Sequence, residues 1–149
     1  MTQLLTETNI TLVTLQNCPL DLAVSHCVFE KAAELNIDLD MIALSPALST
    51  SSSLSFTLAD QDLPKLLTFS KKLQEELHVQ TGISPGNCKI VIADPAMKNS
   101  PGFAGKIFGA VATVGADIRM ITTAETEISL LVPSADFETT TAAIRAVIG

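Results

Sequence analysis

One spacing occurs twice in this chain and restricts its fold more than any other feature. Phe29 lies 12 residues before Met41-Ile42, and Phe108 lies 12 residues before Met120-Ile121. Each Phe sits midway along a stretch with helical periodicity, and each Met-Ile pair falls in the strand-like segment after it. Matched helix and strand landmarks at equal separation are the mark of an internal repeat. A length of 149 residues leaves room for one ordinary domain or two very small ones, and the repeat selects two.

The first copy reads β-α-β-β-α-β. Ile10-Thr-Leu-Val-Thr-Leu15 is short and rich in β-branched residues, as a strand should be. After a turn at Asn17-Cys18-Pro19, Val24, Val28, Ala32 and Leu35 recur at helical spacing, and Asn36 is expected to stop that helix. Leu39 to Leu44 reads as a second strand. A Ser/Thr-rich turn follows and runs into the alternation of Leu54, Phe56 and Leu58 against Ser53, Ser55 and Thr57, the pattern of a half-buried strand. Asp62 is placed to cap a second helix with Pro64 in its first turn, and Leu63, Leu66, Leu67, Ser70, Leu73 and Leu77 trace one face. His78 to Gly86 is polar and turn-rich, which predicts a short strand and then the junction between copies.

The second copy keeps the order. Lys89-Ile-Val-Ile-Ala93 is a strand and Asp94 to Asn99 a loop. Ser100-Pro101 starts a helix with Ser as cap, its apolar face is Ala104, Ile107, Phe108, Val111 and Val114, and Gly115 ends it. Ile118 to Thr123 and Glu127 to Val132 are strands. Ser134 is expected to cap a last helix whose buried stripe is Phe137, Thr141, Ile144 and Ile148. This copy stops straight after that helix, one strand short. An unfinished sheet edge leaves a row of unpaired amides and carbonyls, so the unassigned segment Gln3-Leu-Leu-Thr6 is expected to cross over and supply the strand. The expected organisation is therefore α+β: two ferredoxin-like βαββαβ modules, each an antiparallel sheet with its helices on one face, at residues 7–86 and 87–149, with residues 2–6 lending a strand to the second.

Composition narrows the function. The formal net charge is −7, with nothing basic concentrated enough to release counterions from nucleic acid or to hold an anionic membrane surface. The most apolar stretch, Phe103 to Ile121, is interrupted by Lys106, Asp117 and Arg119 and cannot span a bilayer, and the N-terminus has no signal-peptide pattern. Three cysteines without a C-x-x-C pair fit a reduced, cytoplasmic protein. His26-Cys27 with Cys18 makes a poor metal site, since adjacent helical residues point in different directions, and Ser84 to Lys89 has the wrong spacing for a phosphate-binding P-loop. No catalytic constellation, metal or cofactor is expected.

The ordered set Ser100-Pro-Gly-Phe-Ala-Gly-Lys-Ile-Phe108, Gly115-Ala-Asp-Ile-Arg-Met-Ile-Thr-Thr123 and Glu127-Ile-Ser-Leu-Leu-Val-Pro133 resembles the second ACT module of aspartokinases. Asn36-Ile-Asp-Leu-Asp-Met-Ile42 with Leu54-Ser-Phe-Thr-Leu58 is similar to their first. The resemblance covers nearly the whole chain and implies the same N-terminal strand crossover. It includes no catalytic kinase domain, and with Met1 opening the numbering the chain is expected to be an independent reading frame.

The resemblance implies that the loop between the first strand and first helix of a module binds an amino acid, because a helix N-terminus offers unpaired amides to a carboxylate. In copy one the implied ligand-binding residues are Asn17, Cys18, Pro19, Leu20 and Asp21, facing Ile42, Ser45 and Ser53. Several depart from the family pattern. Asn17 and Ser53 stand where Asp is usual, Leu44 where Gln is common, and Leu20 where Gly follows the Pro. Losing two carboxylates points to a neutral or apolar amino acid rather than lysine. Capping is the plainer role for Asp21. In copy two the implied residues are Asn99, Ser100 and Gly102, facing Thr123 and Glu125, with Gly102 expected to allow close backbone approach. The expected function is a non-catalytic amino-acid-binding regulatory homodimer. A regulatory subunit docked on a separate kinase chain, and a dimerisation module with a decayed ligand site, are the alternatives.

Overall fold

The computed structural model describes residues 1–19, 23–46 and 51–149. It contains β1 (Gln3–Pro19), α1 (Ala23–Glu34), β2 (Ile42–Pro46), β3 (Ser51–Ala59), α2 (Leu63–Leu77), β4 (Gln80–Ala93), α3 (Phe103–Thr113), β5 (Met120–Thr123), β6 (Glu127–Pro133) and α4 (Phe137–Ile148). The chain divides into two compact units, Asn9–Pro85 and Met1–Thr8 with Gly86–Gly149. Strand order is β2-β3-β1-β4 in the first and β1-β4-β6-β5 in the second.

Both long strands therefore belong partly to each unit. β1 passes from one unit to the other at Asn9 (φ 59°) and β4 at Gly86 (φ 72°), both left-handed residues. The two residues lie 77 positions apart. Left-handed backbone is accessible to Gly and tolerated by Asn, which is why Pro85-Gly86 reads as a turn in sequence yet is a kink inside one continuous strand. The Gln3 segment and the Ile10 segment, read separately from the sequence, are likewise one strand of 17 residues.

In the first unit one sheet face, carrying Val13, Leu15, Leu54 and Phe56, packs on Val24 and Val28 of α1 and Leu66 and Leu73 of α2. In the second, Ile90, Ile92, Ile128 and Leu130 pack on Ile107 and Val111 of α3 and Ile144 of α4. Leu4 packs against this second core. The N-terminal strand thus completes the second module, as the open sheet edge requires.

The wiring of the two modules matches pair for pair. Leu15↔Leu54 and Val13↔Phe56 in β1–β3 correspond to Ile92↔Ile128 and Ile90↔Leu130 in β4–β6. On the outer strands Ile42↔Phe56 corresponds to Ile121↔Leu130. The first helix of each module ends in the same left-handed turn. At Asn36 (φ 56°) the Ile37 amide donates to the Ala32 carbonyl at 2.8 Å, and at Gly115 (φ 64°) the Ala116 amide donates to the Val111 carbonyl at 3.5 Å. Phe29 and Phe108 are both half-buried against the core of their own module.

Three expected helix caps are not made. Asp62, Ser100 and Ser134 place no side chain on their helices, because a tight turn comes first and its backbone does the work. The first helical amides of Leu63, Phe103 and Phe137 donate to the carbonyls of Asp60, Ser100 and Ser134. Asp62 instead meets Lys65 at 3.4 Å, and the Ser134 hydroxyl donates to the Gly86 carbonyl at 2.8 Å. The second strand of each module also starts later than expected. Asp40 and Arg119 still donate across to Thr57 and Leu131, but regular pairing begins at Ile42 and Met120. Among the described residues, no helix is long and apolar enough to cross a membrane.

Candidate functional site

In the first module the sheet brings the ends of three strands together. β1 bulges between Leu15 and Cys18, so Gln16 and Asn17 stand opposite the single residue Ser53. On its other side Ser53 pairs with Ser45. Asn17 has φ 62° and is exposed. Such a bulge re-aims a side chain without breaking the strand, and here it leaves Asn17, Ser45 and Ser53 around one end of the sheet. All three are neutral hydrogen-bonding groups that can both donate and accept.

Two expected contributors stand apart. Cys18 is 1% exposed, packed into the core with its thiol on the Leu15 carbonyl at 3.6 Å, and burial raises its pKa. Only its backbone is available to a ligand. Ile42 lies three residues from Ser45, about 10 Å along the strand; with Leu44 it forms an exposed apolar patch on the outer strand, 47% and 49% accessible. Pro19 continues β1 opposite Ser51. Leu20 and Asp21 lie outside the described residues.

In the second module the strand–helix connection is built differently. Pro95–Asn99 forms a tight helical turn, and Asp94 caps it by accepting the Ala96 amide at 2.9 Å. The Ser100 amide continues the turn by donating to Met97, and α3 starts at Phe103 behind Gly102. A Cβ added at Gly102 would meet nothing within 4 Å, so the close approach expected there is not made inside this chain. Asn99, Ser100 and Gly102 are exposed, as is Thr123 at the end of β5. Glu125, in the β5–β6 turn, does reach the loop: its carboxylate pairs with Lys98 at 2.8 Å, both side chains being largely exposed.

Asp94 and Thr2 are the residues that sequence reasoning missed. The other oxygen of Asp94 accepts from the Thr2 hydroxyl at 2.5 Å. The Thr2 hydroxyl and the Ala96 amide hold the Asp94 carboxyl below the ordinary aspartate range. A cavity of about 220 Å³ lies beside it, walled by Met1, Gln3, Ala93, Pro95 and Thr126. Strand register places Asp94, opposite Thr126, where the first module has Cys18 opposite Ser52, and the extra residue in the β1 bulge hides that equivalence from a count along the chain. A second cavity, about 340 Å³, lies between α1 and α2 over Phe69 and Leu73 and touches none of the expected site residues.

The ACT domain family matches residues 90–147. An aspartokinase from Bacillus sp. strain MGA3 is 30% identical over 128 residues, which cover 85% of this chain and 31% of the relative. An aspartokinase from Thermus thermophilus is 32% identical over 122 residues, 80% of this chain and 29% of the relative. The chain spans about a third of the length of these curated relatives. The crystal structure of the regulatory subunit of aspartate kinase from Thermus thermophilus, in its ligand-free form, superposes with a TM-score of 0.89 at 24% identity, covering 98% of this chain and 97% of that one.

Proposed function

We propose, from the premise that this chain is a pair of ACT modules resembling the regulatory region of aspartokinases, that it senses a small neutral amino acid and passes the signal on without catalysing a reaction. The observation that carries the reading is the meeting of the β1 bulge with two serines: Asn17, Ser45 and Ser53 at one end of the first module's sheet. An amino acid needs donors for its carboxylate and acceptors for its ammonium. Hydroxyl and carboxamide groups supply both. A lysine side chain would need a carboxylate, and at Asn17 and Ser53 this chain has none.

The outer strand of the first module fits a self-associating role. β2 presents Ile42 and Leu44 to solvent on a sheet edge that carries no Lys, Arg, Asp or Glu before Pro46 ends it, an apolar stretch open to pairing. A homodimer through this edge would place two ligand loops close to each other. Three cysteines outside any disulfide, two of them buried, fit a reducing compartment.

Thermal melting with a panel of amino acids tests the reading, because a ligand that binds only the native state stabilises it by about 2.7 kcal/mol at a hundred times its Kd. A neutral amino acid should raise the melting temperature at millimolar concentration, and lysine should do so less. Lysine as the strongest stabiliser would overturn the proposed specificity. No response to any amino acid would leave a dimerisation module without ligand. A second reading is favoured by the near-complete overlap with a regulatory subunit of aspartate kinase: the chain would dock on a separate catalytic chain, and co-purification with a kinase polypeptide would establish it.

A further inference from the structure

We infer that the cavity between α1 and α2 of the first module is a ligand site in its own right, one that takes a zwitterion with a bulky apolar side chain, represented by L-leucine. Its volume of about 340 Å³ falls in the range of about 300–1,000 Å³ usual for small-ligand pockets. α2 supplies an apolar floor: Phe69 and Leu73 belong to the core, and Leu77, 43% exposed, continues it outward. The same helix supplies one charge of each sign, Lys72 and Glu76, a turn apart on the cavity wall. Neither has an ionic or hydrogen-bonding partner among the described residues. Lys ahead of Glu at this spacing is the weaker order for a helical ion pair, which leaves both heads available. On the α1 side Lys31 is already held by Glu34 at 3.2 Å.

The repeat shows that the fold does not require this cavity. In the second module α3 and α4 pack against each other, while α1 and α2 stand apart across the open space. Glu30, Lys31 and Glu34, which rim it on α1, correspond 79 residues later to Gly109, Ala110 and Thr113. Charge and space thus arrive together in the first module. A zwitterion uses both signs: its carboxylate meets Lys72, its ammonium meets Glu76, and its side chain covers Phe69 and Leu73. The cavity shares no residue with the strand ends at Asn17, Ser45 and Ser53, so it stands or falls apart from the function proposed above.

Cys27 reports on the site directly. It lines the cavity and is exposed, whereas Cys18 and Cys88 are 1% and 3% exposed, so alkylation of the native protein by iodoacetamide reads Cys27. At about ten times its Kd, L-leucine should slow that labelling about tenfold. Isocaproate, isoamylamine and glycine, which lack in turn the ammonium, the carboxylate and the apolar side chain, should each protect far less. Lys72→Ala and Glu76→Ala should each remove the protection. Lys71→Ala and Glu75→Ala, exposed on the same helix but outside the cavity, should keep it. An amino acid bound at the Asn17 end of the sheet would raise the melting temperature without slowing Cys27, which separates the two sites. Labelling unaffected by L-leucine would overturn this one, as would protection that survives both Lys72→Ala and Glu76→Ala. Equal protection by isoamylamine or isocaproate would show that one of the paired charges is unused, and would overturn the zwitterion.

Discussion

The two modules share one wiring diagram and differ almost everywhere it meets solvent. Their cores agree in register, in the left-handed end of the first helix, and in the half-buried Phe on that helix. On the exposed side of α1, the His26 ring and the Glu30 carboxylate are in contact at 3.2 Å; 79 residues later in α3 stand Gly105 and Gly109, where an added Cβ would meet nothing within 4 Å. In the second module Asp94 accepts the Thr2 hydroxyl and the Ala96 amide, while the matching register position of the first module holds Cys18, buried in the core. Core positions are held by packing, since a change of even one methylene is felt there. Loop and surface positions carry no such constraint, and that is where the two modules have diverged.

Matched truncations in the two cores should give the largest effects. Phe56 and Leu130 occupy the same place in the two sheets and are 1% and 0% exposed. Phe56→Ala is expected to cost about 3–5 kcal/mol and Leu130→Ala about 2–5 kcal/mol, read by urea denaturation. Amide hydrogen exchange should show each loss concentrated in its own module. Equal loss of protection in both modules from either change would mean that the two cores unfold as one, and would break the comparison.

The crossing points of the long strands come next. Gly86→Ala forces a Cβ into left-handed backbone and should cost about 1–2 kcal/mol, while Asn9→Gly at the equivalent position should be close to neutral. Denaturation midpoints decide it; an equal cost at both would show that the kink at Asn9 depends on its side chain. A smaller change of opposite sign is expected on α3. Gly109→Ala should stabilise by about 0.5–1 kcal/mol, because the new methyl meets open space and the helix interior gains a better helix former. Destabilisation instead would mean that another surface covers α3 in solution.

Much of this was legible from the apolar pattern. The alternation of Leu54, Phe56 and Leu58 and the spacing of Phe29 and Phe108 fixed the strands, the helices and the repeat, because burial enforces those periods. The missing last strand could be inferred because a sheet edge left open must be filled. The helix caps were not legible: Asp62, Ser100 and Ser134 have the right chemistry, but a backbone carbonyl three residues back reaches each first amide instead. Asp94 escaped for a related reason. Its partner Thr2 is 92 residues away in the chain, and no local pattern reports a contact of that separation.

The smallest expected effect is a titration. The Thr2 hydroxyl and the Ala96 amide favour the charged form of Asp94, so its folded-state carboxyl titrates below its unfolded one. The contacts to the Asp94 carboxylate are therefore intact above the ordinary aspartate range, about 3.9, and are lost as pH falls through the depressed folded value. The Ala96 amide resonance should report this directly, with its shift inflecting below the ordinary range in the wild type and moving up toward it in Thr2→Val. The first module has no carboxylate to follow at the matching register position, which is Cys18. An Ala96 inflection unchanged by Thr2→Val would mean that the hydroxyl does not hold the carboxylate in solution.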